Sequence, residues 1–171
     1  MSVTRLRRWT RVLTIAAALA VGLATLTIPH ATPAEAAGLP DLVMQATAEV
    51  TLNLRTSVLA HRFIVSVNGD TPVAPGKAVA VVGFPAGVSP RPGGVQALGQ
   101  ASWDCTVSSS VVICKNTTEL RQSLGATYFI VSLNVSGPMT ATVTSTVDPF
   151  NIFPESNEGN NVGTTTYHFI Q

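Results

Sequence analysis

The sequence predicts an all-β protein, an antiparallel sandwich of Greek-key type with seven to nine short strands. Three observations lead there. Only 11% of residues are charged, while Val, Thr, Ala and Gly abound. Apolar and polar residues alternate with period two over many short segments, as in half-buried strands. Clusters of Gly, Pro, Asn and Asp punctuate those segments as turns do. There is no internal repeat and no low-complexity linker.

Taken in order, the first alternating segment runs from Asp41 to Arg55. Leu42, Met44, Ala46, Ala48, Val50, Leu52 and Leu54 share one parity, which fits one or two consecutive strands. His61, Phe63, Val65 and Val67 mark the next strand, stopped by Asn68-Gly69-Asp70-Thr71-Pro72. Asn-Gly tolerates the positive backbone angles of a tight reversal. Ala78 to Phe84 is a continuous apolar run, expected as a central strand covered on both faces. Ser89 to Gly94 holds Pro90, Pro92, Gly93 and Gly94 and reads as a loop.

Trp103 to Val107 and Val111 to Lys115 are expected as a hairpin turning at Ser109-Ser110. Residues 117–124 admit one helical turn. Thr127, Phe129, Val131, Leu133 and Val135 form another strand. In the next, Met139, Ala141, Val143 and Val147 face inward and Thr140, Thr142, Thr144 and Thr146 outward. Val162 to Ile170 is the last strand.

Residues 1–36 read as an export signal for the general secretory route. Arg5, Arg7, Arg8 and Arg11 form a basic head, Val12 to Ile28 an uncharged apolar body, and Ala34-Glu35-Ala36 a small-x-small cleavage pattern. The apolar run is long enough for a membrane anchor, but its Gly, Thr and Pro content and the cleavage pattern favour removal. No stable anchor is expected after cleavage. Residues 37–171 are then one domain, secreted or extracellular. That part carries six basic and eight acidic side chains, a formal net charge of −2. A nucleic-acid partner is not expected, since phosphate binding needs a concentrated basic face.

Cys105 and Cys114 are the only cysteines, and export to an oxidising space favours their pairing as a disulfide. If they stand opposite each other, Thr106 faces Ile113 and Val107 faces Val112. Trp103 is expected to pack over that bridge.

Several segments resemble landmarks of bacterial CARDB-like and DUF11-type Ig-like adhesion domains. They are Pro40-Asp41-Leu42-Val43, Val65 through Pro72, Phe84-Pro85-Ala86-Gly87-Val88, and Trp103-Asp104-Cys105 with Val112-Ile113-Cys114. The fifth is a closing hairpin, Val147-Asp148-Pro149 through Glu155-Ser156-Asn157-Glu158-Gly159-Asn160-Asn161. The landmarks follow family order from Pro40 to about Phe169. The resemblance implies an Ig-like sandwich and a non-enzymatic role in adhesion or ligand binding at the cell envelope or outside the cell. The alternative is a carbohydrate-binding module. The partner expected is a protein or a glycan.

Chemistry in the closing segment is limited to oxygen donors. Asp148, Asn151, Glu155, Asn157, Glu158, Asn160 and Asn161 fall within fourteen residues, and calcium takes six to eight oxygens. The same residues also build a wide turn without an ion. No cofactor is therefore required, with calcium as the candidate if one binds. No catalytic residue is assigned. His61 and His168 lie in predicted strands away from any nucleophile motif, and Gly93-Gly94 reads as loop geometry. Asn116-Thr117-Thr118 and Asn134-Val135-Ser136 match glycosylation sequons, which are expected to be coincidental given the bacterial source that the resemblance implies.

Overall fold

The computed structural model describes residues 38–171; the signal-peptide reading of residues 1–36 lies outside the described residues. Among the described residues, ten strands form two facing sheets. The four-stranded sheet has the order β1 (Asp41–Ala46), β3 (Ala60–Asn68), β8 (Thr127–Val135), β5 (Val88–Leu98). The six-stranded sheet has the order β2 (Glu49–Asn53), β10 (Val162–Ile170), β9 (Met139–Val147), β4 (Val79–Gly83), β7 (Val111–Asn116), β6 (Trp103–Val107). All pairings are antiparallel except β2 with β10. The first alternating segment supplies both β1 and β2, because the chain crosses between sheets at Thr47-Ala48. β1 pairs with β3 and β2 runs alongside β10.

Alternation explains the core. Phe63, Val65 and Val67 of β3, Phe129, Val131 and Leu133 of β8, and Leu42 and Met44 of β1 project from one sheet. Ala80, Val82, Val112, Ala141, Val143, Val147, Tyr167 and Phe169 project from the other. Each large side chain so buried contributes about 1.5–3 kcal/mol relative to exposure. Phe63 and Phe129 stack with ring centroids 4.5 Å apart. The expected threonine face is present: Thr140, Thr142 and Thr144 are exposed, and Thr142 pairs with Thr166. β4 is central, but only its Ala80 and Val82 face is fully buried.

Two local expectations are corrected. Residues 89–94 lie within β5 instead of forming a free loop. Pro90 stands opposite Leu133, and the register shifts between Pro90 and Val95. Proline is tolerated there because β5 is an edge strand, where a missing N–H costs no ladder bond. A Cβ on Gly94 would stand 2.9 Å from Ser132 Cβ, so the bulge needs glycine at that point. The helical turn over 117–124 shrinks to a 3₁₀ turn at Gln122–Leu124.

The hairpin pairs as expected, Thr106 with Ile113 and Val107 with Val112, and Cys105 is bonded to Cys114 across it. Trp103 shares a face with Cys105, yet its principal partner is Phe129, edge-on at 5.1 Å. Its indole N–H donates to Thr127 Oγ1 at 3.1 Å. Asn116 is 1% exposed and its amide is engaged by Ala78, Ala74 and Thr118, so that sequon cannot present its nitrogen.

Candidate binding surface

Three polar or exposed constellations stand out. The first is the closing segment, residues 148–161, between β9 and β10. Asp148 and Asn151 adopt positive φ, 44° and 48°, which asparagine and aspartate accept more readily than other non-glycine residues. The Asp148 carboxylate accepts the N–H of Ile152 at 3.2 Å and of Phe153 at 2.8 Å. Glu155 is buried. It accepts Leu42 N–H at 2.6 Å and the Asn161 amide at 3.1 Å. Glu158 accepts Glu155 N–H and Asn161 Nδ2, and Asn151, with its amide turned to suit its neighbours, donates to both Glu158 oxygens at 2.8 Å.

The structure thus brings Asn151, Glu155, Glu158 and Asn161 together. Asn157 turns to Gly159 N–H and Asn160 to Asp41. The Oδ1 atoms of Asn160 and Asn161 are buried without a hydrogen-bond partner. Among the described residues there is no group of three or more His, Cys, Asp or Glu placed to hold a metal. Burial pushes the Glu155 carboxyl up to about 7, helped by the nearby Glu158 and Asp148 charges and opposed by the Leu42 N–H and Asn161 amide. The segment fastens β1 to the β9–β10 hairpin through the Glu155 bond to Leu42 N–H and the Asn160 bond to Asp41.

The second constellation lies inside the core and was not visible in the sequence. His61, on the inward face of β3, is 0% exposed. Its Nε2 stands 2.8 Å from Ser145 Oγ and its Nδ1 2.9 Å from Tyr167 Oη. Tyr167 O–H donates to Ala60 O at 3.5 Å. The consistent assignment has Nδ1–H donating to the tyrosine oxygen and the Ser145 hydroxyl donating to Nε2. In outline this is a nucleophile, a base and an orienting group. All three are buried, Ser145 and His61 at 0% and Tyr167 at 2% exposure. Burial holds the imidazole down at about 4, so it is neutral at neutral pH. The cluster satisfies polar groups between the sheets. His168, on the outer face, stands 2.7 Å from Glu49 and 3.2 Å from Thr140.

The third is the outer face of the four-stranded sheet. Register sets Gln45, Ile64, Tyr128 and Leu98 side by side across all four strands, with Arg62 and Ile130 in the next rank. These residues line a shallow groove of about 580 Å³, a size that suits a small ligand or a short segment of a polymer. Tyr128 is 54% and Leu98 50% exposed. Trp103 and Tyr167, by contrast, are packed inward. Alternation alone placed Tyr128 outward; that it stands beside Leu98 follows from the β5–β8 pairing, hidden by the prolines.

Fold and surface together define a two-sheet β-sandwich domain with one hairpin disulfide and an open groove on one sheet. Among the described residues no helix is long and apolar enough to cross a membrane. No family model and no curated protein matches the chain. Solved structures similar to it include a CARDB domain from Pyrococcus furiosus in complex with di-metal ions, 18% identical, covering 77% of this chain and 90% of that one with a TM-score of 0.40. A cohesin module from a Clostridium perfringens family 33 glycoside hydrolase is 14% identical over 77% and 97%, TM-score 0.45. The collagen-binding domain of a Staphylococcus aureus adhesin is 8% identical over 74% and 97%, TM-score 0.43.

Proposed function

We propose that this chain is a non-enzymatic binding and adhesion module that works at the bacterial cell envelope or outside the cell. Its ligand lies on the outer face of the four-stranded sheet. The observation that carries this reading is the groove, where Tyr128 and Leu98 are half exposed beside Arg62 and Gln45. Exposed aromatic and aliphatic groups ringed by a few polar side chains are what a binding surface requires. The Cys105–Cys114 bridge supports an oxidising compartment. The burial of the Ser145–His61–Tyr167 cluster supports a role without turnover.

Carbohydrate binding is the second reading, favoured by Tyr128. An exposed ring offers an apolar platform to a sugar face, and the planar Arg62 and Gln45 groups can bond its hydroxyls. The experiment is a binding panel of soluble glycans and immobilised extracellular proteins, probed with the wild type and with Tyr128→Ala. Loss of the captured ligand in the variant supports the groove. Binding indifferent to Tyr128 places the ligand elsewhere.

A further inference from the structure

We propose that the free edge of β6 pairs antiparallel with β6 of a second copy of this chain, joining two six-stranded sheets into one. β6 ends the six-stranded sheet. Ser108 N–H donates to Val111 O and Thr117 N–H to Ser102 O, both at 2.9 Å. In an antiparallel ladder hydrogen-bonded pairs alternate, so Asp104 and Thr106 also turn their backbone groups toward β7. The 4.1 Å Cα separation of Cys105 and Cys114 fits the close, non-hydrogen-bonded pairs between them. The N–H and C=O groups of Trp103, Cys105 and Val107 therefore point away from the sheet, a template for another strand.

Only one register pairs Trp103, Cys105 and Val107 exclusively with one another. With Cys105 facing Cys105 of the second copy, Trp103 meets Val107 and Val107 meets Trp103, each pair exchanging both N–H···O bonds. On the inner face this gives two aromatic–β-branched contacts, which stabilise a sheet. On the outer face Asp104 meets Thr106, both exposed. Sliding the strands so that Trp103 meets Cys105 would set Asp104 against Asp104, a like-charge contact. Beside the edge, a cavity of about 410 Å³ lined by Pro92, Gly93, Val95, Ala97, Trp103, Cys105 and Val107 opens toward β5, so the inner side of the edge is not filled by the neighbouring strand. β5, the neighbouring edge in the other sheet, is blunted by Pro90, Pro92 and its bulge. β6 has none of these devices.

The test is sedimentation equilibrium of the purified protein over a wide concentration range, with two substitutions at one exposed position. Thr106→Asp places like charges opposite Asp104 at both ends of the joint; Thr106→Lys places opposite charges there. The expected result is a concentration-dependent dimer, weakened about tenfold by the aspartate and tightened several-fold by the lysine. Val107→Pro, which removes an outward N–H without touching a bond to β7, should abolish it. Circular dichroism checks that each variant is folded. A monomer at every concentration overturns the proposal, as does a dimer indifferent to the charge at position 106.

Discussion

His61 and Glu155 make the fold respond to pH in opposite directions. An unfolded imidazole takes a proton near pH 6.5, whereas His61 in the core resists it down to about pH 4. Below pH 6.5 the unfolded chain therefore binds a proton that the native state refuses. Stability from this residue is complete above pH 6.5 and falls toward pH 4, by about 3 kcal/mol in all. Glu155 behaves inversely. Its folded pKa, raised to about 7, means that stability is complete below about pH 4.5 and is lost as pH rises through 7. Between those limits the trends offset. Urea unfolding across pH 4–8 should give Glu155→Gln a flatter neutral limb and higher stability at pH 8, since the amide oxygen can still accept Leu42 N–H. His61→Gln should flatten the acid limb while costing about 1–3 kcal/mol at neutral pH through its lost bonds. Parallel curves for variants and wild type would contradict the assignment. Alternation in β3 shows that His61 points inward. Its partners lie 84 and 106 residues away, and only the packing of the sheets brings them to it.

At the scale of elements, the β6–β7 hairpin was readable from two cysteines and a Ser-Ser turn, because both ends of the ring are local. Cys105→Ala/Cys114→Ala should lower stability by about 2–3 kcal/mol, the loop-closure value for so short a ring. A denaturation midpoint unchanged by the substitutions would show that the strands register without the bridge. The closing segment was equally legible as a turn between the last two strands, since Asn, Asp, Gly and Pro demand one. Its oxygen donors are largely occupied by N–H groups, including Leu42, Ile152 and Phe153. Thermal melting in calcium and in excess chelator should therefore give one midpoint, and a rise with calcium would mean that the carboxylates turn to an ion. β5 was misread because Pro90, Pro92, Gly93 and Gly94 look the same in a loop and at a bulged edge. Only Leu133 and Ser132 opposite them distinguish the two.

For the whole molecule, the sandwich class followed from strand number and spacing, but the partition into sheets did not. From Asp41 to Arg55 the apolar residues keep one parity except at Val43, so nothing local marks the crossing at Thr47-Ala48 or the parallel run of β2 beside β10. That partition matters to function. It leaves β1, β3, β8 and β5 as a sheet whose outer face carries Gln45, Arg62, Ile64, Leu98 and Tyr128 within one groove. Trp103, expected inward over the disulfide, is packed inward against Phe129 and bonded to Thr127. The decisive measurement is therefore the binding panel, wild type against Tyr128→Ala, with Phe150→Ala in the exposed closing segment as the folded control. The proposed role predicts a glycan or extracellular-protein ligand whose affinity falls at least about tenfold on losing the Tyr128 ring and is unchanged by Phe150→Ala. A ligand that binds Tyr128→Ala as tightly as the wild type, or that is lost with Phe150 instead, would contradict it.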